Sequence, residues 1–164
     1  MKRLYTSLYA LALACGMASA EYVVMARETR VFDGPAAKDV TAAMSGADVV
    51  AKPGMVFVKE SAQGGWNKVE YLTGMRAYIN ADMIASGSAV SLPSDGEYGI
   101  ANGVSKVTIT SDGGKYTLSD AKATYSGKAE NNAVIFRDVC GNVTYSAVVL
   151  NGKTYVYDYT SLGW

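Results

Sequence analysis

From Glu21 onward no segment holds a 3.6-residue apolar period for long, while short runs rich in Val, Ile, Tyr and Thr alternate with clusters of Gly, Asn, Asp and Ser. That is the pattern of an all-β chain. In "GGWNKVEYLTGMRAYI" the alternation sets Trp66, Lys68 and Glu70 on one strand face and Asn67, Val69 and Tyr71 on the other. Arg76, Tyr78 and Asn80 then oppose Ala77 and Ile79 on the returning strand. Gly64-Gly65 predicts a tight reversal, because glycine takes positive φ without penalty. Farther on, strands are expected near 97 to 100, 104 to 110, 115 to 119, 121 to 127, 132 to 138, 142 to 150 and 153 to 159, with hairpin turns at "SDGG" and "NG". Val107 and Ile109, Tyr116 and Leu118, and Val134 and Phe136 are the expected inward pairs. The alanines of "AAKDVTAAMSGADVVAK" make it the one place for a short helix within a loop.

The chain starts with Lys2-Arg3, an apolar stretch around Leu8 to Ala14 and an Ala18-Ser19-Ala20 finish, the layout of a secretory signal peptide over 1–20. The apolar stretch is shorter than the roughly 20 residues a membrane-spanning helix needs, so no membrane span is expected. Cleavage after Ala20 implies a periplasmic or secreted protein; the competing reading makes Cys15 the modified residue of a lipoprotein. Small residues, Pro93 and Asp95-Gly96 collect in 85–96, which reads as a linker between a domain at 21–84 and an antiparallel β domain at 97–164. Each would have roughly 65 to 70 residues, where a single core is marginal. One larger barrel is the alternative.

At "RVFDGP" (Arg30 to Pro35), "KPG" (Lys52 to Gly54), "GGWNKV" (Gly64 to Val69) and "GMRAYI" (Gly74 to Ile79) the first domain resembles the bacterial SH3-like domain, SH3b, over about residues 22–84. Phe32 stands where that family usually has Arg, and Ala77 replaces the second glycine of its last motif. The resemblance implies an SH3-like small barrel, followed here by a second small antiparallel β-barrel or sandwich. It also implies an exported, non-enzymatic envelope protein docking on a peptidoglycan peptide or an envelope protein. Trp66 and Tyr78 would form the aromatic wall of a peptide groove, with Asp33 charging its rim. A structural role, in which Trp66 closes the barrel end and Tyr78 packs beside it, is the competing expectation.

Residue inventory narrows the chemistry. The chain has no histidine, which removes Cys-His peptidases, Ser-His-Asp hydrolases and most zinc sites, and no cofactor is expected. Without Lys2 and Arg3 the formal charge falls from 0 to −2, and the remaining basic residues are scattered, so nucleic acid is not an expected partner. Cys140 is then the only cysteine of the mature chain and reads as a small residue in the turn "DVCGN". Ser119-Asp-Ala-Lys122 matches Ser-x-x-Lys, but in strand geometry residues three apart face opposite sides, so catalysis is not expected there. Asp112, Asp120, Asp138 and Asp158 read as surface acids without a catalytic arrangement. Tyr155, Tyr157 and Tyr159 share one strand face. Buried, they would be packing; exposed, they would be a binding strip, supporting the alternative of a secreted inhibitor or protein-interaction factor acting through the C-terminal β domain.

Overall fold

A computed structural model describes residues 20–32, 34–35, 50–72, 74 and 76–160. The leader up to residue 19, Asp33, the expected helical stretch as far as residue 49 and Trp164 lie outside the described residues. The chain is all-β, built from curled antiparallel sheets. The first part comprises β1 (Glu21–Val24), β2 (Thr29–Arg30), β3 (Val50–Ala51), β4 (Val56–Gln63), β5 (Trp66–Tyr71) and β6 (Arg76–Asn80). The second comprises β7 (Val90–Ser91), β8 (Gly96–Gly99), β9 (Lys106–Asp112), β10 (Lys115–Ser119), β11 (Thr124–Glu130), β12 (Ala133–Arg137), β13 (Val143–Leu150) and β14 (Lys153–Asp158).

In the first sheet the strand order is β1-β4-β5-β6, with β2 and β3 paired beside it. Gly64 (φ 57°) and Gly65 (φ 81°) make the expected reversal between β4 and β5, and the Gly113-Gly114 and Asn151-Gly152 turns repeat this left-handed geometry. The faces follow the alternation: Asn67, Val69 and Tyr71 of β5, with Ala77 and Ile79 of β6, point inward, and Trp66, Lys68 and Tyr78 are half-buried on the other side. Phe57 and Tyr71 meet edge to face in the core, their ring centroids 4.6 Å apart.

β8 to β14 form one meander in sequence order. It curls until its two outermost strands meet, where Ile100 and Val156 form a parallel bridge and the Ala101 N–H donates to the Val156 carbonyl at 2.7 Å. All the expected inward pairs lie on the concave side, with Val107, Ile109, Leu118, Val134 and Phe136 buried and Tyr116 packed against them. Two strands are displaced from expectation: the one read at 104 to 110 is Lys106–Asp112, and the one read at 121 to 127 is Thr124–Glu130, because Asp120 to Ala123 form a turn closed by the Asp120 carboxylate. The segment 85–96 is bonded along its length. Ala85 donates to Val24, Val90 and Ser91 pair with β13, and Asp95 accepts from Ser111.

The last strand joins the two parts. Tyr157 and Tyr159 are buried, and they sit in the core of the first sheet beside Val23, Met25 and Phe57. β5 ends at Tyr71, one pairing short of Val56, so the buried Val56 N–H donates instead to the Tyr159 hydroxyl at 3.2 Å. The same hydroxyl lies 2.9 Å from Ser146 Oγ, and Tyr157 donates to the Pro53 carbonyl at 2.8 Å. A second seam forms where Val24 and Val56 meet Ile135, Val148 and Leu150 from the convex side of β12 and β13.

This tyrosine burial has a pH signature. Removal from water pushes the Tyr159 phenol up to about 12 and raises Tyr71, Tyr145 and Tyr157 as well. The folded state favours the neutral phenol, so this stabilisation is intact below about pH 10, where a free phenol titrates. It is lost as pH rises toward 12. Phenolate absorbance and circular dichroism are expected to change together and cooperatively across that window. Independent titration of every tyrosine near pH 10, with the fold unaffected, would contradict the burial.

Candidate functional site

Three regions have the shape or chemistry for binding. The first is the outer face of β5 and β6, built by the alternation that buries Val69 and Ile79 on the other side. Phe32 is bridged to Tyr78 through both backbone groups, at 3.0 and 2.8 Å, which brings its ring edge-on to Trp66 with centroids 5.1 Å apart. Trp66 and Tyr78 therefore share one surface, and neither ring enters a core cluster. Beside them Glu60, displaced by a bulge in β4, accepts from Lys68 Nζ at 3.0 Å and Arg76 Nε at 2.7 Å. These hydrogen bonds, Lys68 first, hold its carboxyl below the usual glutamate range. The result is an aromatic patch edged by a paired charge network.

The second region is the mouth of the curled sheet. Asp120 takes N–H bonds from Lys122 and Ala123 at 2.7 Å each on Oδ1, while Oδ2 accepts the hydroxyls of Tyr145 at 2.8 Å and Tyr125 at 3.3 Å. Partial burial pushes this carboxyl up, but the four hydrogen bonds outweigh it and hold the group below its ordinary value. The expectation that Asp120 is a solvated surface acid is corrected: it is a turn-closing acceptor at the rim of a pocket of about 290 Å³. Ser119 Oγ lies 3.2 Å from Thr124 Oγ1, and Lys122 belongs to the turn that follows β10. Asp138 likewise closes the turn carrying the exposed Cys140, accepting the Cys140 and Asn142 N–H groups at 2.9 Å.

The third region is a cleft of about 470 Å³ where the two parts meet, walled by β1, the 84–90 segment and the β11–β12 turn. Asn67 from the inward row of β5 lines it. Set against protein-family models, curated proteins and solved structures, the chain matches none of them. What each region can do rests on its own geometry.

On that geometry the two described residues expected to form a site, Trp66 and Tyr78, fall together on the outer face, and Phe32 joins them. The tyrosine row of the last strand does not supply a binding strip, since Tyr157 and Tyr159 are each only 3% exposed. Asn67 was passed over by sequence reasoning, although a polar residue in an otherwise inward row was a visible signal. Among the described residues no helix is long and apolar enough to cross a membrane.

Proposed function

We propose that this is an exported, non-enzymatic binding protein of a bacterial envelope, its first part an SH3-like module that docks on a peptidoglycan peptide or an envelope protein. The observation that carries this reading is the placement of Trp66. The ring lies on the solvent side of its sheet, set edge-on by Phe32, with Tyr78 on the same face. Aromatic rings held this way offer wide contact area at small entropic cost, and the Glu60–Lys68–Arg76 network beside them supplies polar groups for a rim. Asp33, next in sequence to Phe32, belongs to the proposed rim. The alternative, a secreted inhibitor acting through the C-terminal β domain, draws support from the pocket beside Asp120, Tyr125 and Tyr145.

Trp66 fluorescence, read in a Trp164→Phe background, tests the docking face. Acrylamide is expected to quench it readily, and cell-wall muropeptides at millimolar concentration are expected to protect it. Ready quenching with no protection would remove the peptidoglycan ligand, and a ring already shielded in the free protein would remove the aromatic face itself.

A further inference from the structure

At the mouth of the curled sheet four segments end together: the 101–105 loop, the 120–123 turn, the 138–142 turn and Tyr159–Thr160. Ile100 is bridged to Val156 and Tyr145 is paired with Asp158, so the first and third of these flank the end of β14. Among the described residues the exposed large apolar side chains are Leu92, Val104 and Val139, and the two valines, both fully exposed, stand on those flanking loops. A single exposed valine is ordinary. Two on the loops that frame one pocket mark a contact surface.

The pocket between the loops narrows what that surface receives. Ile100 forms an apolar side, and the rings of Tyr125 and Tyr145, edge to face with centroids 5.2 Å apart, form a wall. Its charge is one-sided. Burial raises the Tyr125 phenol, and the charges of Asp120, Asp158 and Asp138 raise it further, so three carboxylates act on one ring. Asp120 is fixed by its four hydrogen bonds, and Asp158 Oδ1 accepts the Thr160 N–H at 2.8 Å and its hydroxyl at 2.6 Å. Lys122, exposed on the pocket wall, is set against these three. Lys106 and Arg137 are engaged elsewhere, by Glu97 at 2.7 Å and Glu130 at 2.9 Å. Among the described residues no group of three or more His, Cys, Asp or Glu could hold a metal ion, which favours an organic cation. Aromatic faces attract such a charge, and the apolar side suits the methylene stem of a long basic side chain.

We propose that this mouth docks a protein partner that inserts a lysine or arginine side chain beside Tyr125 and Asp158, with Val104 and Val139 closing on apolar residues to either side of it. The inference rests on the alternative reading of the C-terminal β domain and gives it a partner of stated chemistry. It is independent of the face around Trp66.

The test is an NMR titration of the full ¹⁵N-labelled chain with acetyl-Leu-Lys-Leu-amide at millimolar concentration, and with the same peptide acetylated on its lysine Nζ. The charged peptide is expected to shift the Val104, Lys122 and Val139 backbone N–H signals saturably, and the neutral one to bind at least about tenfold more weakly. Lys122→Glu reverses the basic charge of the wall and is expected to tighten binding of the charged peptide about threefold at low salt. Val104→Ser combined with Val139→Ser is expected to weaken it by about the same factor, with the unfolding temperature unchanged. Equal affinity for the two peptides would overturn the inserted cation while leaving the C-terminal domain a binding part. Unmoved signals with both would overturn the inference and the alternative beneath it, and unchanged affinity in both variants would overturn the inference as well.

Discussion

Gly127→Ala is expected to destabilise the chain by roughly 1–3 kcal/mol or more, the range for forcing an extra methyl group into a packed core. Gly127 lies directly across from Phe136 in the β11–β12 ladder. A Cβ there would stand 2.5 Å from both Cδ1 and Cε1 of that ring and 2.9 Å from Val134 Cγ1. Both neighbours are fully buried, and Phe136 packs in the concave core with Tyr145 and Ala147, so the ring has no free space to turn into. The effect is one of packing alone, because Gly127 does not occupy the left-handed backbone region. Gly99→Ala is the control: it sits in β8 with nothing within 4 Å of an added Cβ. Urea unfolding of the two variants should separate them clearly, and equal midpoints would mean that Phe136 is not held where described.

The second large effect is expected at Tyr159. Tyr159→Ala deletes a buried ring from the first core, a change that typically costs about 3–5 kcal/mol for large aromatic side chains. Tyr159→Phe isolates the hydroxyl. It leaves the buried Val56 N–H without its acceptor and Ser146 without its neighbour, for which about 1–3 kcal/mol is expected. The location makes the outcome informative beyond its size. Tyr159 follows the last strand of the second sheet, yet its ring is part of the first core. Trp66 fluorescence, read with Trp164 replaced by Phe, should therefore report the destabilisation even though Trp66 belongs to β5. Its transition should coincide with the loss of circular dichroism in a single step. A Trp66 transition unmoved by Tyr159→Ala would show that the first sheet does not depend on Tyr159.

Alternation made much of this fold legible, and its failures have physical reasons. The faces of β5 and β6 could be read directly, because a half-buried strand alternates. β12 could be read only in part. Val134 and Phe136 face the concave core, but Ala133 and Ile135 are equally buried, since the first sheet covers the convex side. Periodicity says nothing about a surface supplied by another part of the chain. The same limit applies to the tyrosines, whose shared face was legible and whose cover was not. Asp120 was misread because its two phenolic partners come from β11 and β13, and Tyr145 lies 25 residues away in sequence. Trp66 shows the opposite case: its place on the face of β5 opposite to Val69 could be read, whereas its aromatic character left both core and groove open.

Having the last tyrosines inside the first core also sets an order of events during synthesis. Chains emerge N-terminus first, and a domain whose contacts are local can fold as it appears. Here the Val56 N–H waits for a hydroxyl 103 residues downstream, so the first sheet cannot complete its interior until the ribosome has reached Tyr159. Closure of this core is thereby deferred until the last strand has been made, at the cost of slower, long-range folding. A transcript stopped before Tyr157 would yield two incomplete interiors instead of one intact half, a product marked for proteolysis.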